Sequence, residues 1–310
     1  MKHINPQNLP EPFVKAVSGR DRKPKTDSIS VTELIKPPQM RALEREHWDE
    51  IEVDVATEVY ALLGTSVHSI LEKAGDDGAL SEERLRVTVN GDLNMDIVLG
   101  GMVDRLDEDG TITDWKVTSV YSFILGDKQE WIEQLNCYAA LYRSHGFDIN
   151  KIQIIAILRD WTKRRAKAEE DYPDYPVMVK ELPLWPKDKT AEFIKTRIRL
   201  HQDALESGTY PKCTDQERWA RDHKWAVMKK GNKRAKKLFT DEEEADIYCQ
   251  SLQSTKAGTF YVEYRPAEAI RCKDYCHVAP WCGQWKKEQE ESNREDQQGE
   301  VPQGGPANLE

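Results

Sequence analysis

The sequence predicts an α/β fold: a mixed central sheet flanked by helices, followed by a basic lobe that carries a cysteine cluster. Three observations point there. Apolar residues recur at helical intervals over residues 55–74, 128–145 and 190–206. Alternating or β-branched runs bounded by turn residues lie between these stretches. Beyond residue 208 a strongly basic run and a crowd of cysteines change the composition.

Residues 1–27 are rich in Pro and charge, lack apolar periodicity, and read as a flexible lead. Order is expected to begin at Ser28-Ile29-Ser30-Val31-Thr32, where Ser or Thr before an apolar run suits a helix cap. Pro37-Pro38 breaks or restarts that helix. Val55, Val59, Leu62, Leu63, Val67, Ile70 and Leu71 then give an amphipathic helix that carries Gly64 and His68. Leu85, Val87 and Val89 alternate with polar neighbours, as in a strand. Asn90-Gly91-Asp92 signals a turn, residues 97–106 a second strand, Asp109-Gly110 another turn, and residues 111–118 a third strand. Together they predict an antiparallel meander. Residues 128–145 read as a helix stopped by Gly146. The Ile-rich run 152–158 suits a buried strand, 177–184 a further strand, and 190–206 a helix stopped at Gly208. The expected core spans 28–208. An appended lobe at 209–286 holds a helix near 241–252 and a strand near 259–264, and a disordered acidic tail fills 287–310.

A net charge of −10 argues against a nucleic-acid partner only until the charge is mapped. Residues 221–237 are strongly basic and include Trp225, Lys229, Lys230, Lys233 and Arg234. Residues 159–167 form a second basic run with Trp161, Arg164 and Arg165. Each run suits either a solvated helix face or a surface that tracks phosphates. No run of about 18 apolar residues exists, so no membrane-spanning helix is expected. The opening residues lack an apolar signal core, which predicts a cytoplasmic protein. Six cysteines in such a chain read as thiols or metal ligands rather than disulfides.

The candidate chemistry lies on the predicted hairpin. Asp114 and Lys116 stand two apart on one strand and so share a face. The turn at Asp109-Gly110 brings Asp104 towards them. Two carboxylates and an ammonium suit metal-assisted phosphodiester hydrolysis, because Mg²⁺ or Mn²⁺ prefers oxygen ligands and takes one or two carboxylates from a protein. D-x-K alone also describes a salt-bridging surface strand. The surrounding motifs narrow the choice. Gly100-Gly101-Met102-Val103-Asp104 followed by Asp114-Trp115-Lys116 resembles the G-x-x-D…(D/E)-x-K core of PD-(D/E)XK nucleases, which have a restriction-endonuclease-like fold. Gly64-Thr65-Ser66-Val67-His68 resembles the G-x-x-x-H helix motif of their RecB-like branch. Gln134-Leu135-Asn136-Cys137-Tyr138 resembles that branch's Q-x-x-x-Y helix motif. The resemblance implies that Asp104, Asp114, the Trp115 carbonyl and His68 are metal ligands and that Lys116 is the catalytic lysine. It implies that Gln134 and Tyr138 support the site and contact DNA. Asp114 stands where many relatives have Glu.

Cys272, Cys276 and Cys282 supply three soft ligands within eleven residues, and Cys213 a fourth. Four thiolates suit zinc or an iron–sulfur cluster. The spacing resembles the RecB-like iron–sulfur nucleases, CRISPR-adaptation exonucleases among them, in which a [4Fe–4S] cluster staples the end of the nuclease domain. Those relatives usually carry the lone cysteine before the core. Here the matching segment, Leu34-Ile35-Lys36-Pro37-Pro38, has none, and Cys213 stands in for it as in phage-encoded members. Zinc on the same residues, with His277 as a possible partner, is the alternative.

The combined expectation is a Mg²⁺- or Mn²⁺-dependent DNA exonuclease of phage or bacterial recombination and repair, acting on ends or single strands, with a recombination protein as a possible partner. Trp161 and Trp225 are candidates to stack on bases. Two readings compete with it: a non-catalytic DNA-binding or assembly subunit that keeps the fold, and a structure-specific endonuclease.

Overall fold

The computed structural model describes residues 1–19, 21–75, 79–80, 83–90, 96–126 and 128–299. Its chain divides into two units, Met1–Pro211 and Lys212–Glu310. The first begins with β1 (Lys2–Ile4), α1 (Glu11–Val17), β2 (Ser28–Ser30), α2 (Val31–Leu34), α3 (Pro38–Glu46) and β3 (Glu52–Asp54). The expected flexible lead thus carries regular structure: β1 pairs in parallel with β3, which satisfies its backbone where no apolar period announces a strand. Ser30 caps α2 as its sequence suggests. Its hydroxyl accepts the Glu33 amide at 3.2 Å and Glu33 Oε2 accepts the Ser30 amide at 2.9 Å, a capping box.

Next come α4 (Val59–Lys73), β4 (Ala79–Leu80), β5 (Leu85–Asn90), β6 (Asp96–Gly101), β7 (Arg105–Asp107) and β8 (Thr111–Thr118). The periodic stretch 55–74 opens with a 3₁₀ turn at Val55–Glu58 before α4 begins. No α4 residue is fully buried; Leu63 and Ile70 are exposed despite their apolar spacing, and so is Tyr60. The expected single strand at 97–106 is broken in two. β6 pairs with β5 and β2 in a three-stranded sheet, whereas β7 pairs with β8 in a five-stranded one. The break falls at 102–104, where side chains replace ladder partners. The Val103 amide donates to the Tyr142 hydroxyl at 3.2 Å, and Asp104 Oδ2 accepts the Trp115 amide at 2.8 Å. The meander is therefore split between two sheets. The expected turn at Asn90-Gly91-Asp92 falls on residues 91–95, outside the described residues.

The unit is completed by α5 (Val120–Ile124), α6 (Gln129–Ser144), β9 (Lys151–Leu158), α7 (Lys163–Ala168), β10 (Val177–Leu182) and α8 (Lys187–Glu206). The five-stranded sheet runs β10-β9-β8-β7-β4, with β8 and β9 parallel and the other pairs antiparallel. Gly146 follows α6 at φ +90°, as a helix-ending glycine should. α6 buries Leu135, Cys137, Tyr138, Ala139, Leu141 and Tyr142, and packs on β5, β6, β8, β9 and α8. Gly101 has to be glycine for this packing: a Cβ there would lie 2.7 Å from the Tyr138 ring and 3.0 Å from Val31 Cγ2.

α8 also ties down the C-terminal end of α2. The carbonyl of Leu34 accepts Arg197 Nε at 3.0 Å and His201 Nε2 at 2.9 Å. His201 is 2 % exposed, and burial, together with the nearby Arg197 and Arg41, holds its pKa down at about 3. In the unfolded chain this ring takes a proton below about pH 6.5; in the folded chain it stays neutral. Its contribution is therefore complete above pH 6.5 and drains away as pH falls from there towards 3, by about 1.4 kcal/mol per unit. Urea midpoints of wild type and His201→Gln at pH 7 and pH 5 measure it. The wild type is expected to lose about 2 kcal/mol more than the variant between those values.

The second unit comprises β11 (Ala220–Arg221), β12 (Lys224–Lys229), β13 (Lys237–Phe239), α9 (Glu242–Thr255), β14 (Phe260–Arg265), β15 (Glu268–Ala269) and α10 (Gly283–Gly299). The basic run 221–237 is not a helix face. β12 is the central strand of an antiparallel β13-β12-β14 sheet, because Ala226, Val227 and Met228 supply a buried segment inside the charges. α9 covers it, burying Ala245, Cys249 and Leu252 against Val227, Phe239 and Phe260. The expected disordered tail starts inside α10, and residues 300–310 lie outside the described residues.

Candidate active site

β8 places Asp114 and Lys116 on one face, and α6 supplies what that face meets. Lys116 Nζ lies 2.7 Å from Asp114 Oδ2 and donates to Gln134 Oε1 at 3.0 Å. Gln134 Nε2 in turn faces the Tyr138 hydroxyl at 3.4 Å, one turn along α6. Asp114 is 5 % exposed; burial pushes its carboxyl up, Lys116 draws it down, and the Asp104 charge adds to the rise. Its Oδ2 meets no hydrogen-bond donor of good geometry among the described residues, leaving the Lys116 ammonium as its close counter-charge. Tyr138 is also buried, and its hydroxyl is held above the usual phenol range for that reason.

Asp104 sits in the break between β6 and β7, and that break aims it at β8. Its Oδ2 accepts the Trp115 amide, and its Oδ1 lies 3.0 Å from His68 Nδ1. His68 Nε2 reaches the Trp115 carbonyl at 2.9 Å. Both partners of this ring are acceptors, so only the imidazolium donates to both at once. The hydrogen bond to Asp104 accordingly raises the His68 pKa, against the opposing effect of burial. Asp104, Asp114, Lys116, Gln134, Tyr138, His68 and the Trp115 carbonyl, seven features from four sequence segments, thus form one connected network. Among the described residues, no three His, Cys, Asp or Glu side chains are placed as ligands of a single ion.

A family model of the PD-(D/E)XK nuclease superfamily matches residues 34–283. The chain belongs to this superfamily. Solved structures similar to this PD-(D/E)XK chain include that of SSO0001, at 19 % identity and a TM-score of 0.41, covering 62 % of this chain and 83 % of that one. Another is the alkaline exonuclease LHK-Exo from Laribacter hongkongensis, at 11 % identity and a TM-score of 0.37, covering 64 % and 94 %. The same exonuclease in complex with dAMP aligns at 12 % identity and a TM-score of 0.33, covering 63 % and 92 %. No curated protein sequence matches the chain. Among the described residues no helix is long and apolar enough to cross a membrane.

Candidate DNA-contacting residues outside the network have other surroundings. Trp161 packs on the core of the first unit and its Nε1 donates to the Pro173 carbonyl at 2.7 Å. Arg165 pairs with Glu169 at 2.8 Å on the short exposed helix α7, next to Arg164. Trp225 packs against Tyr264 with ring centroids 4.7 Å apart. Lys229 lies over the Phe260 ring, whereas Lys230, Lys233 and Arg234 are exposed around the β12–β13 connection. Each tryptophan is half-buried, with part of its ring packed within its own unit.

The four cysteines come together within the second unit: Cys272, Cys276 and Cys282 all bear electrostatically on Cys213. Burial pushes the Cys213 thiol up to about 12 and Cys276 up to about 11. The Trp285 amide donates to Cys282 Sγ at 3.4 Å, and Gln284 brackets Cys213 through its amide and carbonyl at 2.9 and 3.1 Å.

Two features beside the site escaped sequence reading. A cleft next to Asp104 is lined by Leu71, Glu72, Gly75, Ala79, Arg105 and Trp115. Glu72 stands one helical turn beyond His68, and that i, i+4 spacing was its signal. Lys128, just before α6, carries no motif at all.

Proposed function

We propose that this PD-(D/E)XK nuclease is a divalent-metal-dependent deoxyribonuclease that hydrolyses phosphodiester bonds from DNA ends, with Asp104, Asp114 and Lys116 at its centre. The observation that carries the reading is the arrangement of Lys116: one ammonium held between a buried carboxylate and the Gln134 amide, on the strand whose next backbone carbonyl and amide engage His68 and Asp104.

Nucleases of this superfamily use divalent metals, and the donor set here fits one. Asp104, Asp114 and the Trp115 carbonyl offer hard oxygens, Asp114 Oδ2 is buried and short of donors, and His68 would offer a ring nitrogen once it releases a proton. Mg²⁺ or Mn²⁺ held by these groups would polarise the scissile phosphate and acidify water. The chain's own groups supply the rest. Lys116 is fixed to face the attacked phosphate, where its ammonium offsets negative charge as it builds in the transition state. Gln134 sets the direction of that ammonium, and Tyr138 orients Gln134 from the next turn. Lys116 also restrains the charge on Asp114, which burial alone would drive towards its neutral form.

Cleavage of end-labelled linear and covalently circular single-stranded DNA with Mg²⁺ or Mn²⁺ tests the mode of action. Loss of linear substrate with circles intact is the expected result. Cleavage of circles would replace the exonuclease reading with an endonuclease, and no metal-dependent cleavage of either would favour a binding subunit.

We also propose that Cys213, Cys272, Cys276 and Cys282 hold a [4Fe–4S] cluster with a structural role. Gathered thiols such as Cys213 and Cys276, which burial holds above the usual thiol range, are poor ligands until a cation favours the thiolate, so loading and deprotonation go together. Anaerobically purified protein is expected to absorb broadly near 400 nm and to contain about four irons per chain. Stoichiometric zinc without iron would reverse the assignment.

A further inference from the structure

Two more cations gather beside Lys116. Arg159 follows β9, and its amide donates to the Thr118 carbonyl at 3.0 Å, two residues beyond Lys116 on the adjoining strand. The loop under it is tied down: Asp160 Oδ1 accepts the Val120 amide at 2.7 Å, and Trp161 is anchored to Pro173. The Arg159 guanidinium lies 4.2 Å from the centroid of Tyr60, a ring 59 % exposed on α4. Tyr60 precedes His68 by eight residues on that helix, about 12 Å along its axis. Lys128 stands at the N-terminal end of α6, the helix that brings Gln134 to Lys116. Its pKa is lowered by burial first, with Arg159 and Lys116 adding to the fall against Glu130. Among the described residues neither Arg159 nor Lys128 has a carboxylate within ion-pair distance.

Like charges crowded at a half-buried edge repel one another, and an anion relieves them. A guanidinium over an exposed ring positions both for a planar, charged chain of nucleotides. We propose that Lys128, Arg159 and Tyr60 form a subsite for the nucleic-acid strand adjoining the scissile phosphate, Lys128 and Arg159 holding phosphates and Tyr60 stacking on a base. A base inside a duplex already has both faces stacked, so the ring selects an unpaired strand or a frayed end. The subsite rests on the nuclease reading of the Asp104–Asp114–Lys116 centre.

The test uses the full chain with fluorescein-labelled oligodeoxythymidine, binding being read by anisotropy in Ca²⁺. Tyr60→Ala is expected to weaken binding about 5- to 150-fold, and Tyr60→Phe to keep it, because stacking needs the ring alone. Arg159→Gln and Lys128→Gln should each lower the slope of log Kd against log salt by about 0.7 and raise KM with kcat preserved. Hydrolysis of bis(p-nitrophenyl) phosphate with Mn²⁺, a substrate with no flanking nucleotides, should be unchanged in all four variants and lost in Lys116→Ala. Wild-type oligonucleotide binding by Tyr60→Ala, Arg159→Gln and Lys128→Gln would overturn the subsite while leaving the nuclease reading in place. A wild-type protein that neither binds nor cleaves DNA would overturn both.

Discussion

Lys116→Ala is expected to reduce metal-dependent DNA cleavage by about 10³-fold or more while the protein remains folded. The size follows from what the ammonium touches. In the proposed mechanism it offsets charge at the phosphate only as that charge develops, so its removal costs kcat rather than substrate binding. It also neutralises Asp114, which is 5 % exposed. With the ammonium gone, burial drives that carboxyl further towards its neutral form, and the proposed metal ligand is weakened together with the lysine. The fold tolerates the change because Asp114 takes up a proton instead of remaining a buried, unpaired charge. Single-turnover cleavage alongside a far-UV circular dichroism melt measures both consequences. Wild-type rates in the folded variant would remove Lys116 from the mechanism.

Gly110→Ala is expected to cost roughly 2–5 kcal/mol of stability, summing a left-handed residue's strain with overpacking. Gly110 closes the turn into β8 at φ +81°. A Cβ there would lie 2.3 Å from the Asp148 carbonyl oxygen and 2.8 Å from Asn150 Nδ2, and the first of these is backbone that cannot swing away. The same residue receives the Asn150 amide on its carbonyl at 3.0 Å, which sets the start of β9 beside β8. A shifted turn would therefore also disturb the register that pairs Asp114 with Ile154 and Lys116 with Ala156. Thermal denaturation should show the midpoint lowered by roughly 5–20 °C. A midpoint within a degree of wild type would show that the turn relaxes freely.

The proposed catalytic set could be picked out in the sequence because its parts are local. Asp114-Trp115-Lys116 needs only the two-residue period of a strand, and Gln134 to Tyr138 needs only one helical turn. The ends of α6 and α8 were legible for the same reason: Gly146 and Gly208 adopt the positive φ that few other residues accept. What the sequence could not show is where strands end when a side chain takes over the ladder. Residues 97–106 have strand composition throughout, yet the Tyr142 hydroxyl and the Trp115 amide capture 103 and 104 and divide the run between two sheets. Burial was equally hidden. The apolar spacing of α4 promised a covered face, but Leu63 and Ile70 are exposed, and Trp161 and Trp225 are half-buried against their own units.

By itself, then, the sequence singled out the residues of the proposed centre and much of the succession of elements, since both depend on neighbours a few residues apart. Only the tertiary structure decided that Arg159 lies over Tyr60, that Lys128 shares their field, and that Arg197 and His201 cap α2 from more than 160 residues away. Those pairings are settled by the closing of sheets and helices on one another, a long-range free-energy balance that no local period records.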